Sequence, residues 1–257
     1  MNKLFKRIIP NKVLSNFGYV GIRPKSFESH NMDIKEDIAN KYHYDGPLLD
    51  IFALNQGLSV HKWHHYIPLY DRYFCQYRDQ PIKFLEIGVA EGGSLQMWRR
   101  YFGQDAVIFG IDIDPACEKF NNLDGQVRIG SQVDEQFLLD VIGEMGGVDI
   151  VLDDGSHHMQ DIKTSFDYLY PTLNVGGTYI IEDLHTSYWQ RYGGGYGVKN
   201  NFFNFIRDSI DDMHRWYHEN AIKNSAIAES CSGVHIHDSM VVFEKETVFK
   251  PVSSRVG

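Results

Sequence analysis

What this chain of 257 residues has little of narrows its class. It carries three cysteines, Cys75, Cys117 and Cys231, scattered, odd in number and without a CxxC pair. That leaves no disulfide framework and no cysteine zinc site, and it suits a reducing cytoplasm. No stretch approaches the ~20 apolar residues of a membrane span. Near the N-terminus, Lys3, Lys6, Arg7, Pro10 and Lys12 interrupt every short apolar run, so no signal-peptide core is present and no stable membrane insertion is expected. Positive charge is also scarce, with 25 Lys and Arg against 34 Asp and Glu and a formal charge of -9. A chain so acidic repels phosphate backbones, so nucleic acid is not expected as a partner. Hydrophobic residues at 43% and charged ones at 23% argue for a packed core rather than disorder.

Residues 1–45 are polar, contain Pro10 and Pro24 and lack sustained periodicity. They read as an N-terminal extension, a docking arm for another subunit or a loose tail, and a homo-oligomer is expected. Residues 46–257 read as one catalytic domain. Between Leu48 and Tyr77 apolar residues recur at helical spacing, with Leu69, Tyr70, Tyr73 and Phe74 on one face. Short apolar runs then alternate with helical patterns. The runs are 83–89, 107–113, 127–129, 148–152 and 178–181, and the helices are 94–102, one from Pro115, 134–145 and 159–173. Gly176-Gly177 reads as the turn before the fifth run. This alternation calls for a doubly wound α/β sheet, mainly parallel and Rossmann-like, with right-handed crossovers. Residues 233–236 and 239–244, separated by His237-Asp238, predict a hairpin that adds an antiparallel last strand.

In such sheets ligands bind beyond the carboxyl ends of the strands, and the distinctive residues cluster there. After the first strand stands Glu86-Ile87-Gly88-Val89-Ala90-Glu91-Gly92-Gly93, a glycine turn of the form GxxxGG rather than GxGxxG. Its acids suit a cofactor bearing an ammonium and a sulfonium better than a pyrophosphate. A tight structural turn would use the same glycines. Asp112, ending the second strand, can accept hydrogen bonds from a ribose diol. Asp153-Asp154-Gly155-Ser156-His157-His158 closes the fourth strand and Glu182-Asp183-Leu184-His185 the fifth. Acids gathered at one rim repel unless protonated, paired or bound to a cation, and oxygen ligands select Mg²⁺ or Mn²⁺. Helix caps and salt-bridge partners are the alternative reading.

The glycine turn and Asp112 resemble the motifs of class I S-adenosylmethionine methyltransferases, a family in which an antiparallel final strand is characteristic. Residues 54–245 resemble its metal-dependent sugar O-methyltransferases, the macrocin and mycinamicin type. The match rests on His65-Tyr66, residues 85–89, Gly92-Gly93-Ser94-Leu95, Gly110-Ile111-Asp112, residues 153–157, residues 181–184 and VHIHDSMVVFEK at 234–245. The resemblance implies that Asp154, Glu182 and Asp183 hold the metal and that His157 is the general base. It further implies that Tyr66, Glu86, Gly88, Ser94, Asp112, Ser131, Gln132 and Asp153 surround S-adenosylmethionine. An imidazole is the side chain suited to taking a hydroxyl proton near neutral pH. His158 is the poorer candidate, because neighbours at a helix start point apart, and His185 is a supporting or substrate contact. His61, His64 and His65 lack the partners of a zinc site.

Tyr188, Trp189, Tyr192, Gly193 to Gly195, Tyr196, Phe202 and Phe203 suggest a lid over about 186–204, with flat faces for a sugar ring. The expected acceptor is a sugar that is nucleotide-linked, part of a glycan, or attached to a natural product. A catechol-type O-methyltransferase acting on an aromatic diol, a Rossmann dehydrogenase and a non-catalytic scaffold are the competing readings.

Overall fold

Seven strands form a single twisted sheet in the computed structural model, which describes residues 33–257. They are β1 (Lys83–Ile87), β2 (Val107–Asp112), β3 (Gln126–Ile129), β4 (Val148–Asp153), β5 (Leu173–Ile181), β6 (Cys231–His237) and β7 (Met240–Lys245). Their order is β3-β2-β1-β4-β5-β7-β6, with the first five parallel, β7 antiparallel to β5 and β6 antiparallel to β7. Of the hairpin's two strands only β7 runs against the other five, since β6, antiparallel to β7, points the same way as they do; β7, last in sequence, lies between β5 and the edge strand β6. Central strands such as β4, with Val148, Ile150, Val151 and Leu152 all buried, are apolar on both faces, as helix-covered parallel strands must be.

Helices α1 (Ile34–Tyr42), α2 (Pro47–Ala53) and α3 (Tyr66–Phe74) precede the sheet. Then α4 (Gly93–Phe102), α5 (Glu135–Met145), α6 (Met159–Leu169), α7 (Phe202–Met213) and α8 (Ser225–Ser230) follow strands or join them. Local chemistry sets their ends. The side chain of Asp134 caps α5 by accepting from the amide of Phe137 at 3.1 Å, and Gly146 ends it in the left-handed region. The expected helix 159–173 stops at Leu169, short of Pro171, which cannot donate an amide to continue it.

Three segments differ from expectation. Residues 54–65 are not helical but form a strap between α2 and α3. Gly176-Gly177 is not a turn before a strand but a bulge within β5, since Val148 pairs with Leu173 and Ile150 with Thr178. The run after Pro115 forms a 3-10 turn, not an α-helix. Residues 35–257 form one compact unit, so α1 from Lys35 onward belongs with the rest and buries Ile38. The proposed roles for residues 1–32 lie outside the described residues. Among the described residues no helix is long and apolar enough to cross a membrane.

Candidate active site

Strand register gathers the site. Ile87 pairs with Ile111 and with Asp153, and Asp153 pairs with Ile181, so three neighbouring strands end level with β1. The next residues along each, Gly88, Asp112, Asp154 and Glu182, necessarily share one rim. Ladder-like bonds continue past the strands, with Gly88 N donating to Ile111 O (2.8 Å), Asp154 N to Ile87 O (2.9 Å) and Glu182 N to Asp153 O (3.1 Å). Above the rim lies a cavity of about 670 Å³, within the roughly 300–1,000 Å³ of small-molecule sites.

One end of the cavity is the glycine turn. Gly88 has φ +99°, and a Cβ there would stand 2.2 Å from the carbonyl oxygen of Asp154, so only glycine fits. Asp112 accepts from the amides of Val89 (2.9 Å) and Ala90 (3.0 Å) on one oxygen and of Asp114 (2.8 Å) on the other. Burial pushes its carboxyl up, but the three amides outweigh that and hold it below the usual range. Ser94, Ser131 and Gln132 also line this end. Gln132 Oε1 accepts from Ser156 N at 2.7 Å, which ties the third strand's loop to the fourth's.

Glu86 and Asp153 sit beneath the rim rather than on the cavity wall. Glu86 accepts from Ser94 Oγ (2.7 Å) and Trp98 Nε1 (3.3 Å), and burial pushes its carboxyl up to about 7. Asp153 accepts from Ser165 Oγ (2.6 Å) and is raised by burial to about 6. Tyr66 is fully buried behind Asp183. Its one hydroxyl proton is shared between Asp183 Oδ1 (3.0 Å) and Ser239 O (3.1 Å), and its oxygen accepts from Asp183 N (3.0 Å).

At the other end, Asp154, His157 and Asp183 offer donor atoms that all lie within 4.8 Å of one another. His157 Nε2 stands 3.7 Å from Asp154 Oδ1 and 3.9 Å from Asp183 Oδ2. Both His157 (φ +57°) and Asp183 (φ +58°) adopt the left-handed region, which costs a non-glycine residue on the order of 1–3 kcal/mol and must be held by the surroundings. Asp183 is held by Tyr66 and by Trp63 Nε1 at 2.9 Å. Glu182 is turned inward, accepting from Tyr70 Oη and, at 2.6 Å, from Lys62 Nζ. Burial and the charge of Asp154 push Glu182 well above the usual carboxylate range, partly offset by Lys62. The carboxylates of Asp154 and Asp183, facing one point, fit a divalent cation such as Mg²⁺ or Mn²⁺ held by oxygen, with the imidazole of His157 beside it.

Sequence reasoning missed three contributors: Lys62, Trp63 and Ser239. Lys62 is buried at the rim, 2.6 Å from Asp154 Oδ2 as well as from Glu182. Ser239, in the hairpin turn, accepts from Leu184 N and bonds His185 Nδ1 through its hydroxyl at 2.6 Å. A cation to match four acids could have been sought in the sequence, but nothing local marks Lys62. The neighbouring histidines diverge, His64 to Asp37 and His65 to the carbonyl of Asp238, while His61 faces the cavity. Aromatic rings encircle the acids in succession, Trp63, His185, Trp189, Tyr192 and His157, with centroids 4.9–6.3 Å apart. His158 lies on the outer side against Tyr192.

Residues 85–184 match the family model described as a methyltransferase domain. A tetracenomycin-C rhamnosyl 3'-O-methyltransferase of Streptomyces olivaceus is 38% identical over 199 residues, covering 71% of this chain and 50% of that protein. Demethylmacrocin O-methyltransferase of Streptomyces fradiae is 31% identical, over 76% of this chain and 53% of its own length. The chain thus spans about half the length of the curated relatives it matches. Among solved structures, the mycinamycin-pathway methyltransferase MycE in complex with Mg, SAH and mycinamycin VI superposes with a TM-score of 0.67 at 29% identity. That match covers 85% of this chain and 55% of MycE.

Proposed function

We propose, from the match of residues 85–184 to a methyltransferase domain, that the chain transfers a methyl group from S-adenosylmethionine to a sugar hydroxyl, assisted by Mg²⁺ or Mn²⁺. The observation that carries this reading is the level ending of β1, β2, β4 and β5. It sets a donor-sized cavity on one side and Asp154, His157 and Asp183 on the other, with no barrier between. The relatives' names support the sugar acceptor, and MycE, bound to Mg and SAH, supports both ligands.

In this reading Asp112 accepts the ribose hydroxyls, Ser131 and Gln132 flank the adenine, and the backbone at Gly88 lies against the donor's methionine portion, with Ser94 nearby. Tyr66, Glu86 and Asp153 act from behind, fixing residues that touch the ligands. Asp154 and Asp183, with Glu182 beside them, would hold the divalent ion, which when bound polarises a sugar hydroxyl and makes its proton more acidic. His157 accepts that proton as the oxygen–carbon bond to the donor's methyl forms and the carbon–sulfur bond breaks. The ring of Trp63, Trp189 and Tyr192 offers flat faces to the sugar and excludes water.

The test is turnover of S-adenosylmethionine on glycosides with vicinal hydroxyls, with EDTA and then restored Mg²⁺. EDTA should abolish turnover and Mg²⁺ restore it. Full activity in metal-free buffer would return the acids to structural roles. Methylation of catechols but no sugar would favour the aromatic-diol alternative.

A further inference from the structure

Lys62 is not explained by binding of donor or acceptor, yet its placement is the most constrained of any cation in the described chain. It reaches the rim from the strap, and only 2% of its side chain is exposed. Its Nζ lies 2.6 Å from Asp154 Oδ2, 2.6 Å from Glu182 Oε1 and 3.7 Å from Glu86 Oε1. A lone buried ammonium is costly, so three carboxylates converging on it make it a resident counter-ion rather than a packing accident. The strap is fixed at both sides of it. A Cβ on Gly93 would strike the carbonyl of Ser59 at 2.1 Å, so the strap lies directly on the start of α4, and Trp63 Nε1 is bonded to Asp183.

Two of these three carboxylates, Asp154 and Glu182, are the ones expected to hold the divalent ion. Asp154 is divided between the two cations' territories. Oδ2 faces Lys62, whereas Oδ1 faces His157, on the side where Asp183 also stands. We propose that Lys62 is a positioning residue of the metal site, an internal cation that offsets the mutual repulsion of Asp154 and Glu182 in the metal-free protein and competes with the divalent ion for them. Glu86, on the side of Lys62 away from the rim, is the carboxylate toward which the ammonium can turn when the ion takes Glu182. Affinity for the ion is therefore kept low by design of the chain, and the ion exchanges readily.

This inference rests on the metal-dependent reading above. Its test uses the full-length protein and Mn²⁺ alone, titrated and read by the free-ion electron paramagnetic resonance signal. Lys62→Met, of similar length and without charge, should bind Mn²⁺ at least tenfold more tightly than the wild type, while Lys62→Arg should bind it no more tightly. Binding of SAH, measured by calorimetry, reports that each variant is folded. An unchanged or weaker Mn²⁺ affinity in folded Lys62→Met overturns the role of Lys62 while leaving the metal site standing. A wild type that does not bind Mn²⁺ at all overturns both. Should Lys62→Met fail to fold, the wild type still decides the matter. The slowly exchanging ammonium resonance of Lys62, assigned by its loss in Lys62→Arg, should move on titration with Mg²⁺. A resonance that stays fixed while Mg²⁺ binds refutes the competition.

Discussion

Replacing Tyr66 by phenylalanine isolates what holds Asp183 in its left-handed conformation. The hydroxyl serves three groups: its one proton is shared between Asp183 Oδ1 and Ser239 O, and its oxygen accepts from Asp183 N. Two of these keep other partners, because Trp63 Nε1 still donates to Asp183 Oδ1 and Leu184 N still donates to Ser239 O. The amide of Asp183 alone is orphaned. Leaving one buried donor unsatisfied costs about 1–3 kcal/mol, and for a domain of this size each 1 kcal/mol lowers Tm by roughly 2–4 °C. Thermal unfolding should thus shift down by about 2–12 °C. Because Asp183 is then free to leave φ +58°, Mn²⁺ affinity and turnover should fall with it, while SAH affinity stays unchanged. The sharpest refutation is the reverse pattern, in which SAH affinity drops while Tm and Mn²⁺ affinity hold. Tyr66 would then be touching the donor directly, and the support of Asp183 would have to come from Trp63.

Further outcomes are expected at other positions. Asp112→Ala should weaken SAH binding by ~1–3 kcal/mol, the loss of charge-assisted hydrogen bonds, and unchanged calorimetry would remove Asp112 from the ribose. His157→Ala should lose ~10²–10⁴-fold in turnover with SAH affinity intact, whereas near-normal turnover would assign the proton to water. Burial raises Asp153 from 3.8 to about 6, so the native state keeps its proton longer than the unfolded chain does. That group's contribution must therefore decline as pH rises from about 4 to about 6, by about 3 kcal/mol. In urea unfolding, wild type should lose stability relative to Asp153→Asn over that window, and a pH-independent difference would show that Asp153 is not perturbed.

Much of this could be read from the residues because it depends on local pattern. The runs KFLEI, VIFGID and VDIVLD are mainly apolar without strict alternation, which is how a strand buried on both faces looks. The rim acids were legible for the same reason, since each directly follows such a run. Residues 54–65 were misread as helical because apolar spacing does not record that the chain is needed elsewhere, lying over the cavity with Leu54 exposed. Lys62 and Ser239 stayed hidden since the hydrogen-bond partners of the Lys62 ammonium are 92 and 120 positions away and those of Ser239 are 54 or more. The bulge at Gly176-Gly177 was seen as punctuation but not as part of β5, because the pairing that carries the strand through it belongs to β4.

The place of the hairpin has a bearing on how the protein matures. β7 is the last strand in sequence, yet it is inserted between β5 and β6, and the turn before it bonds Leu184 and His185, the two residues after Asp183. During synthesis from the N-terminus, the donor side of the cavity can assemble once β4 has emerged. Asp183 is held from early in the chain, by Tyr66 and Trp63, but Leu184 and His185 beside it gain their partner only when Ser239 and the strand after it have been made. A chain clipped within the hairpin would therefore keep the cavity end at Gly88 and Asp112 and lose the support of His185 beside the acids.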